Sequence, residues 1–178
     1  LASVRLGNWD INAQAEGITY DYDVDTTNNN LAENFGLSNV VETLSTGDIL
    51  THAYHGKENT CAHNDFVAIK LAKEKGVVID AGFAGHIHTD FGVLKSAFKN
   101  GFLPDTISSD ITSFSIHKRG GDYGITMCMS FAKHLGMSDI DVFKAVTTTP
   151  AKVLNKQNEW GALKIGNQAD VCVLEFTD

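Results

Sequence analysis

Positive charge is scarce in this chain. Its 178 residues carry 14 Lys and Arg against 22 Asp and Glu, a formal net charge of -8, and the pI is near 5.2. No basic run offsets that balance, which argues against nucleic acid and anionic membrane surfaces as partners. Long apolar runs are also missing: nothing approaches the roughly 20 residues that span a bilayer, and no signal peptide is visible. Cysteine is sparse, and Cys61, Cys128 and Cys172 are odd in number and widely spaced. That usage fits reduced thiols in a cytoplasmic protein and excludes a disulfide frame or a zinc knuckle. A G-x-S-x-G elbow is absent, which leaves a cofactor-free esterase without its nucleophile. Gly120-Gly121 has no P-loop lysine pattern beside it, so a nucleotide-phosphate site lacks support. No H-x-H precedes residue 86. The chain starts at Leu1, not at a methionine, from which we expect a longer natural N-terminus.

What is present is ordinary for a globular protein able to build a sizeable core: 43% hydrophobic and 20% charged residues. Ser3–Leu6 and Ile18–Tyr22 read as short strands, and the polar run Asp25–Asn30 as a surface loop. Ser38 can cap a short helix bearing Val40, Val41 and Leu44. Gly47-Asp48 then turns into a strand ending at Thr51-His52. A helix from Phe66 to Lys75 stops at Gly76. Val77-Val78-Ile79, ending at Asp80, is the apolar run of a buried parallel strand. A helix over 91–100 leads through the Pro104 turn to a strand at Thr106-Ile107, which stops at Ser108-Ser109-Asp110. Helices follow over 123–135, from Ser138, and from Pro150 to Leu154. A polar shift at 155–159 precedes an expected β hairpin over 161–174.

Strand–helix–strand–helix–strand order predicts an α/β fold with a parallel sheet. Right-handed crossovers then put all strand C-termini on one edge. His52, the Asp80–His88 segment and Asp110 all fall on or just beyond that edge, where α/β folds place their sites. Imidazole plus carboxylate is the ligand set of a catalytic divalent-metal site, so His52, His86, His88 and Asp110 are candidate ligands. Ser-Ser-Asp is equally good helix-capping chemistry, which is the structural alternative for Asp110. Alternation puts His86 and His88 on one side of an extended strand, so they form a candidate chelating pair or, alternatively, plain surface histidines. His55 is a candidate substrate-binding residue or a structural one.

The segments GDILTHAYHG (47–56), GFLPDTISSDI (101–111), MSFAKHLGMSDIDVFKAVTTTPAKVL (129–154) and GALKIGNQADVCVL (161–174) resemble the C-terminal half of the amidohydrolase superfamily, in its dihydroorotase-like and deacetylase-like branch. The resemblance implies the C-terminal part of a (β/α)8 TIM-type barrel over residues 1–155, and a short β segment of a composite β-sandwich over 156–178. It implies a metal-dependent hydrolase of amide or cyclic amide C–N bonds acting on a small molecule. A divalent metal, zinc foremost, would activate water there. By position, His52 is similar to a strand-end histidine of the family, and Asp110 to the eighth-strand aspartate that serves as general acid and base.

The departures are specific. A whole barrel needs about 250 residues. Ser3-Val4-Arg5-Leu6 is similar to a K-x-R-L segment whose bridging lysine is here Ser3. The family's D-x-G-H-G reads Asp80-Ala81-Gly82-Phe83-Ala84, with a phenylalanine at the histidine, which His86 or His88 would have to replace. Two readings follow. The chain is a hydrolase, or it is a non-catalytic fragment or degenerate paralogue that acts as a scaffold or is completed by another chain. A partial barrel exposes strand edges and apolar faces. We therefore expect a homo-oligomer or a missing N-terminal half.

Overall fold

The computed structural model describes residues 3–5, 37–56, 60–83, 88–111 and 124–175. Three short strands, β1 (Ser3–Arg5), β2 (Ile49–Thr51) and β3 (Val78–Ile79), form one parallel sheet in the order β1-β2-β3. Val4 pairs with Leu50, and Leu50 with Ile79. A single parallel bridge, Asp80 to Thr106, carries the pairing to the next segment. The predicted Thr106-Ile107 strand is therefore present only as that bridge. Ile18–Tyr22 and Asp25–Asn30 lie outside the described residues.

The helices follow the apolar spacing. The first, α1 (Leu37–Thr43), buries Leu37 and Val41. The β2-to-β3 crossover is α2 (Val67–Lys75), which buries Ala68, Ile69 and Ala72. Gly76 ends it in the left-handed region at φ 72°, where its N–H reaches the Ala72 and Lys73 carbonyls and where a glycine pays no Cβ penalty. Lys75 also serves α1: its Nζ donates to the carbonyls of Val41 (2.9 Å) and Glu42 (2.7 Å), a cation on carbonyls left over at a helix C-terminus. Phe66, expected inside α2, is instead its left-handed N-cap residue at φ 61°, with its ring buried against Phe102 at 4.9 Å.

Asp90 caps α3 (Phe91–Lys99) by accepting the Val93 N–H at 2.9 Å, and Leu94, Ala97 and Phe98 face inward. Beyond it lie α4 (Ile125–His134), α5 (Asp139–Val146) and α6 (Thr148–Val153). Of the capping-box variant expected at α5, the Ser138 cap is formed. Ser138 Oγ accepts the Asp141 N–H at 3.2 Å and donates to Asp141 Oδ2 at 2.6 Å. That hydrogen bond holds the exposed Asp141 carboxyl below its ordinary range. Leu50, Tyr54, Ile69, Ile79 and Leu94 are fully buried at the centre of the core. No helix among the described residues is long and apolar enough to cross a membrane.

Among the described residues the sheet is open and no closed barrel is present. One expectation fails there. The segment over 161–174 is not a hairpin, because it forms no strand at all. Its β-prone side chains find no partner: Leu163, Val171 and Val173 are 83%, 65% and 91% exposed. Strand propensity is mostly packing against neighbours, so without them it produces no strand.

Burial raises the pKa of two of the three thiols, Cys61 to about 12 and Cys128 to about 11, whereas Cys172 is exposed. Brief alkylation of the native protein near neutral pH is expected to label Cys172 alone, with all three reacting in denaturant. The raised values also fix a sign. Folding favours the protonated thiols, so their contribution is complete below the unfolded value of about 8.5 and is lost as pH rises through 11–12. Mass spectrometry of labelled peptides and unfolding titrations above pH 9 check both.

Candidate metal centre

Local backbone conformation and hydrogen bonds bring three side chains to the sheet's C-terminal edge. His52 directly follows β2 and adopts φ 57°, a left-handed conformation that costs a non-glycine residue on the order of 1–2 kcal/mol. The turn it starts is closed by the His55 N–H donating to the His52 carbonyl at 3.3 Å. Asp110 also has positive φ, at 49°. His88 is set by its neighbours: Thr89 Oγ1 donates to the Phe83 carbonyl at 2.7 Å, and the Asp90 N–H donates to the Tyr54 carbonyl at 2.9 Å.

These three side chains converge. His52 Nε2 lies 3.6 Å from Asp110 Oδ2, and His88 Nε2 lies 3.9 Å from the same oxygen. The two imidazoles stack at 4.2 Å between centroids and 20° between planes. One ligand atom from each residue falls within 4.8 Å of the others. Two ligands on a tetrahedral ion with bonds near 2.1 Å stand about 3.4 Å apart, so the cluster is slightly wider than a closed shell. The side chains are 2% (His52), 13% (His88) and 17% (Asp110) exposed, which gives a centre buried at its base and open at its rim.

The tautomer of His52 follows from its environment. Its Nδ1 sits 2.6 Å from the Gly82 carbonyl, which can only accept, so Nδ1 carries the proton. In the neutral ring Nε2 then keeps its lone pair, directed to the side where Asp110 lies. That is the usual arrangement of a metal-binding histidine whose other nitrogen is anchored to a carbonyl. Two imidazoles and a carboxylate suit zinc and other first-row divalent ions, so the donor set fits a metal.

Of the sequence-derived candidates, His52, His88 and Asp110 are brought together. His86 lies outside the described residues. His55 is buried, at 7% exposure, in the turn that follows His52. Phe83 is a core residue, 1% exposed and stacked on Phe131 at 6.2 Å. Asp80, which the sequence places at a strand end and in the D-x-G-H-G comparison but not among the candidate site residues, has a buried carboxylate that accepts hydrogen bonds from Thr51, Thr106 and Ser108. The signal available was an acidic residue closing an apolar strand, opposite hydroxyl residues on both neighbouring segments.

No family model matches the chain. Over 142 residues it is 30% identical to a deacetylase of Brucella anthropi, covering 78% of this chain and 34% of that protein. The crystal structure of an adenine deaminase superposes with a TM-score of 0.66 at 29% identity, covering 75% of this chain and 37% of the other. That of a dihydroorotase gives 0.58 at 31% identity, covering 67% and 31%. The chain spans about a third of the length of the curated relatives it matches.

A Cβ on Gly82 would overlap the His52 ring and come within 2.6 Å of Thr51 Oγ1, at a φ of +51°. Gly101, at φ +80°, has open space around it. Gly101→Ala is therefore expected to cost about 1 kcal/mol of backbone strain, and Gly82→Ala about 1–3 kcal/mol more through displacement of His52. Urea unfolding of both checks this, and equal losses would mean that the close approach has no energetic weight.

Proposed function

We propose, since this chain belongs to the amidohydrolase superfamily over the part it shares with these relatives, that it carries the metal centre of a hydrolase of amide or cyclic amide C–N bonds. The observation behind this reading is the convergence of His52, His88 and Asp110 within 4.8 Å. These residues would hold one divalent cation, zinc foremost. When bound, such an ion polarises a scissile carbonyl and lowers the pKa of a coordinated water. The chain's own residues have defined parts. His52 is held by its Nδ1–H on the Gly82 carbonyl, which keeps Nε2 available as a ligand atom. His88 supplies the imidazole that Phe83 cannot. Asp110 has its Oδ2 toward both rings. Its Oδ1 would take a proton from the attacking water and return it to the leaving nitrogen, as a general base and then a general acid.

The same reading takes the parallel sheet as one arc of a (β/α)8 barrel. The remaining strands would come from further residues of the protein, a second copy or another chain. The exposed apolar stretch near 163–174 would then pair as part of a β-sandwich. The buried His55 would line the substrate side of the pocket, and the reduced thiols suit a cytoplasmic setting.

Elemental analysis of the purified protein is expected to find a stoichiometric transition metal, lost in His52→Ala, His88→Ala and Asp110→Ala. In a screen of small amides and cyclic amides, Asp110→Asn is expected to lower kcat by roughly 10²–10⁴-fold. A parent protein that takes up no metal would sink the hydrolytic reading and leave a scaffold.

A further inference from the structure

We propose that Asp80 is the positioning residue of this centre, a buried carboxylate that sets the spacing of His52 and Asp110 without touching either. The proposal rests on the metal reading above. Asp80 follows β3, is 7% exposed, and accepts hydroxyls from both directions in which the sheet continues, one from the β2 side and two from the segment that bridges to it. Thr51 Oγ1 donates to Asp80 Oδ2 at 2.6 Å, and Thr51 immediately precedes His52. Ser108 Oγ donates to the same oxygen at 2.6 Å, two residues before Asp110. Thr106 Oγ1 donates to Oδ1 at 2.7 Å. One carboxylate thus ties the residue before one ligand to the segment that delivers another.

The backbone runs parallel to these ties. The Asp80 N–H donates to the Leu50 carbonyl at 2.9 Å, Ala81 to Thr106 at 3.0 Å, and Phe83 to Ser108 at 2.9 Å. Those bonds fix the register of the strand ends. They do not fix how far apart the chains lie beyond the last pairs, where His52 and Asp110 leave the extended region at positive φ. The hydroxyl ties add side-chain links just before that point, at Thr51, Thr106 and Ser108. A structural role alone explains the residue poorly, because burying a carboxylate is costly and no ion pair to Asp80 is formed among the described residues. An apolar residue of similar volume would usually serve packing as well or better.

Charge and geometry can be separated by substitution. Asp80→Ala removes all three ties. Asp80→Asn keeps them: its carbonyl oxygen can accept from Thr51 and Ser108, while its amide donates to Thr106, whose hydroxyl hydrogen turns away. The experiment is a competitive chelator titration of zinc, with Co(II) absorption as the readout of coordination geometry and thermal unfolding of the metal-free proteins alongside. Asp80→Ala is expected to bind zinc roughly 10–100-fold more weakly than the parent and to shift the Co(II) bands. Asp80→Asn is expected to stay within a few-fold of the parent. If Asp80→Ala does not fold, Ser108→Ala and Thr51→Val each remove one tie and are expected to weaken zinc binding several-fold at near-unchanged melting temperature. Zinc affinity equal to the parent's in a folded Asp80→Ala, or in both single-tie variants, overturns the proposal and leaves the centre standing. Loss of affinity in Asp80→Asn as large as in Asp80→Ala overturns it too, since charge would then be the cause. A parent that binds no zinc overturns the reading of the centre and the proposal with it.

Discussion

The contact on which this centre depends is the seat of the His52 ring against the backbone of Gly82, with Nδ1 and the carbonyl oxygen 2.6 Å apart. Three requirements meet there. The ring must pass close to the neighbouring strand's extension, so residue 82 can carry no side chain. That extension must turn at once, which it does at φ +51°, a conformation open to glycine. And His52 must leave β2 in a left-handed conformation that its β-sheet neighbours do not share. The strain at His52 is small beside the burial that enforces it, since the ring is 2% exposed in a close-packed interior. A shift in this contact would move the ring, its tautomer and its lone pair together.

The place of Phe83 follows from the same contact. Phe83 follows Gly82 and turns its ring into the helix layer, onto Phe131. An aromatic side chain there gains apolar burial that an imidazole would not. His88 brings an imidazole to the sheet edge, and its ring stacks on His52. The Thr89 hydroxyl on the Phe83 carbonyl ties the chain next to His88 back to Phe83. Packing falls to Phe83 and an imidazole at the sheet edge to His88, with one hydrogen bond between their neighbouring segments.

Much of this was legible in the sequence because it depends on order and period. Alternating apolar runs and capped helices gave the parallel sheet, and a parallel sheet puts His52 and Asp110 on one edge whatever the details. The Ser138–Asp141 cap is equally local. Less legible were features decided by tertiary contact. Nothing in the sequence around His88 says that its ring stacks on His52, because that depends on tertiary contacts. Asp80 looked like a strand terminus, since its hydroxyl partners lie 26 to 29 residues away in the chain. The apolar character of Phe66 predicts a helix position, and the left-handed run from Asn64 through Phe66 places it just outside α2. The β-prone segment near 171–174 failed for the opposite reason, as strong propensity has no effect without a neighbouring strand.

These cases separate two kinds of determinant at one sheet edge. Strand order decides which residues arrive there, and it tolerates many substitutions because any apolar run with the right length will serve. The separation of the arriving side chains is set more finely, by the missing Cβ at Gly82, the hydroxyls gathered by Asp80 and the clasp from Thr89. A metal centre is sensitive to the second kind, since ligand bonds near 2 Å tolerate errors of only about 0.2 Å. Gly82, Asp80 and Thr89 lie outside the His52, His88 and Asp110 group, yet each is bonded to or packed against the segments that bring it together.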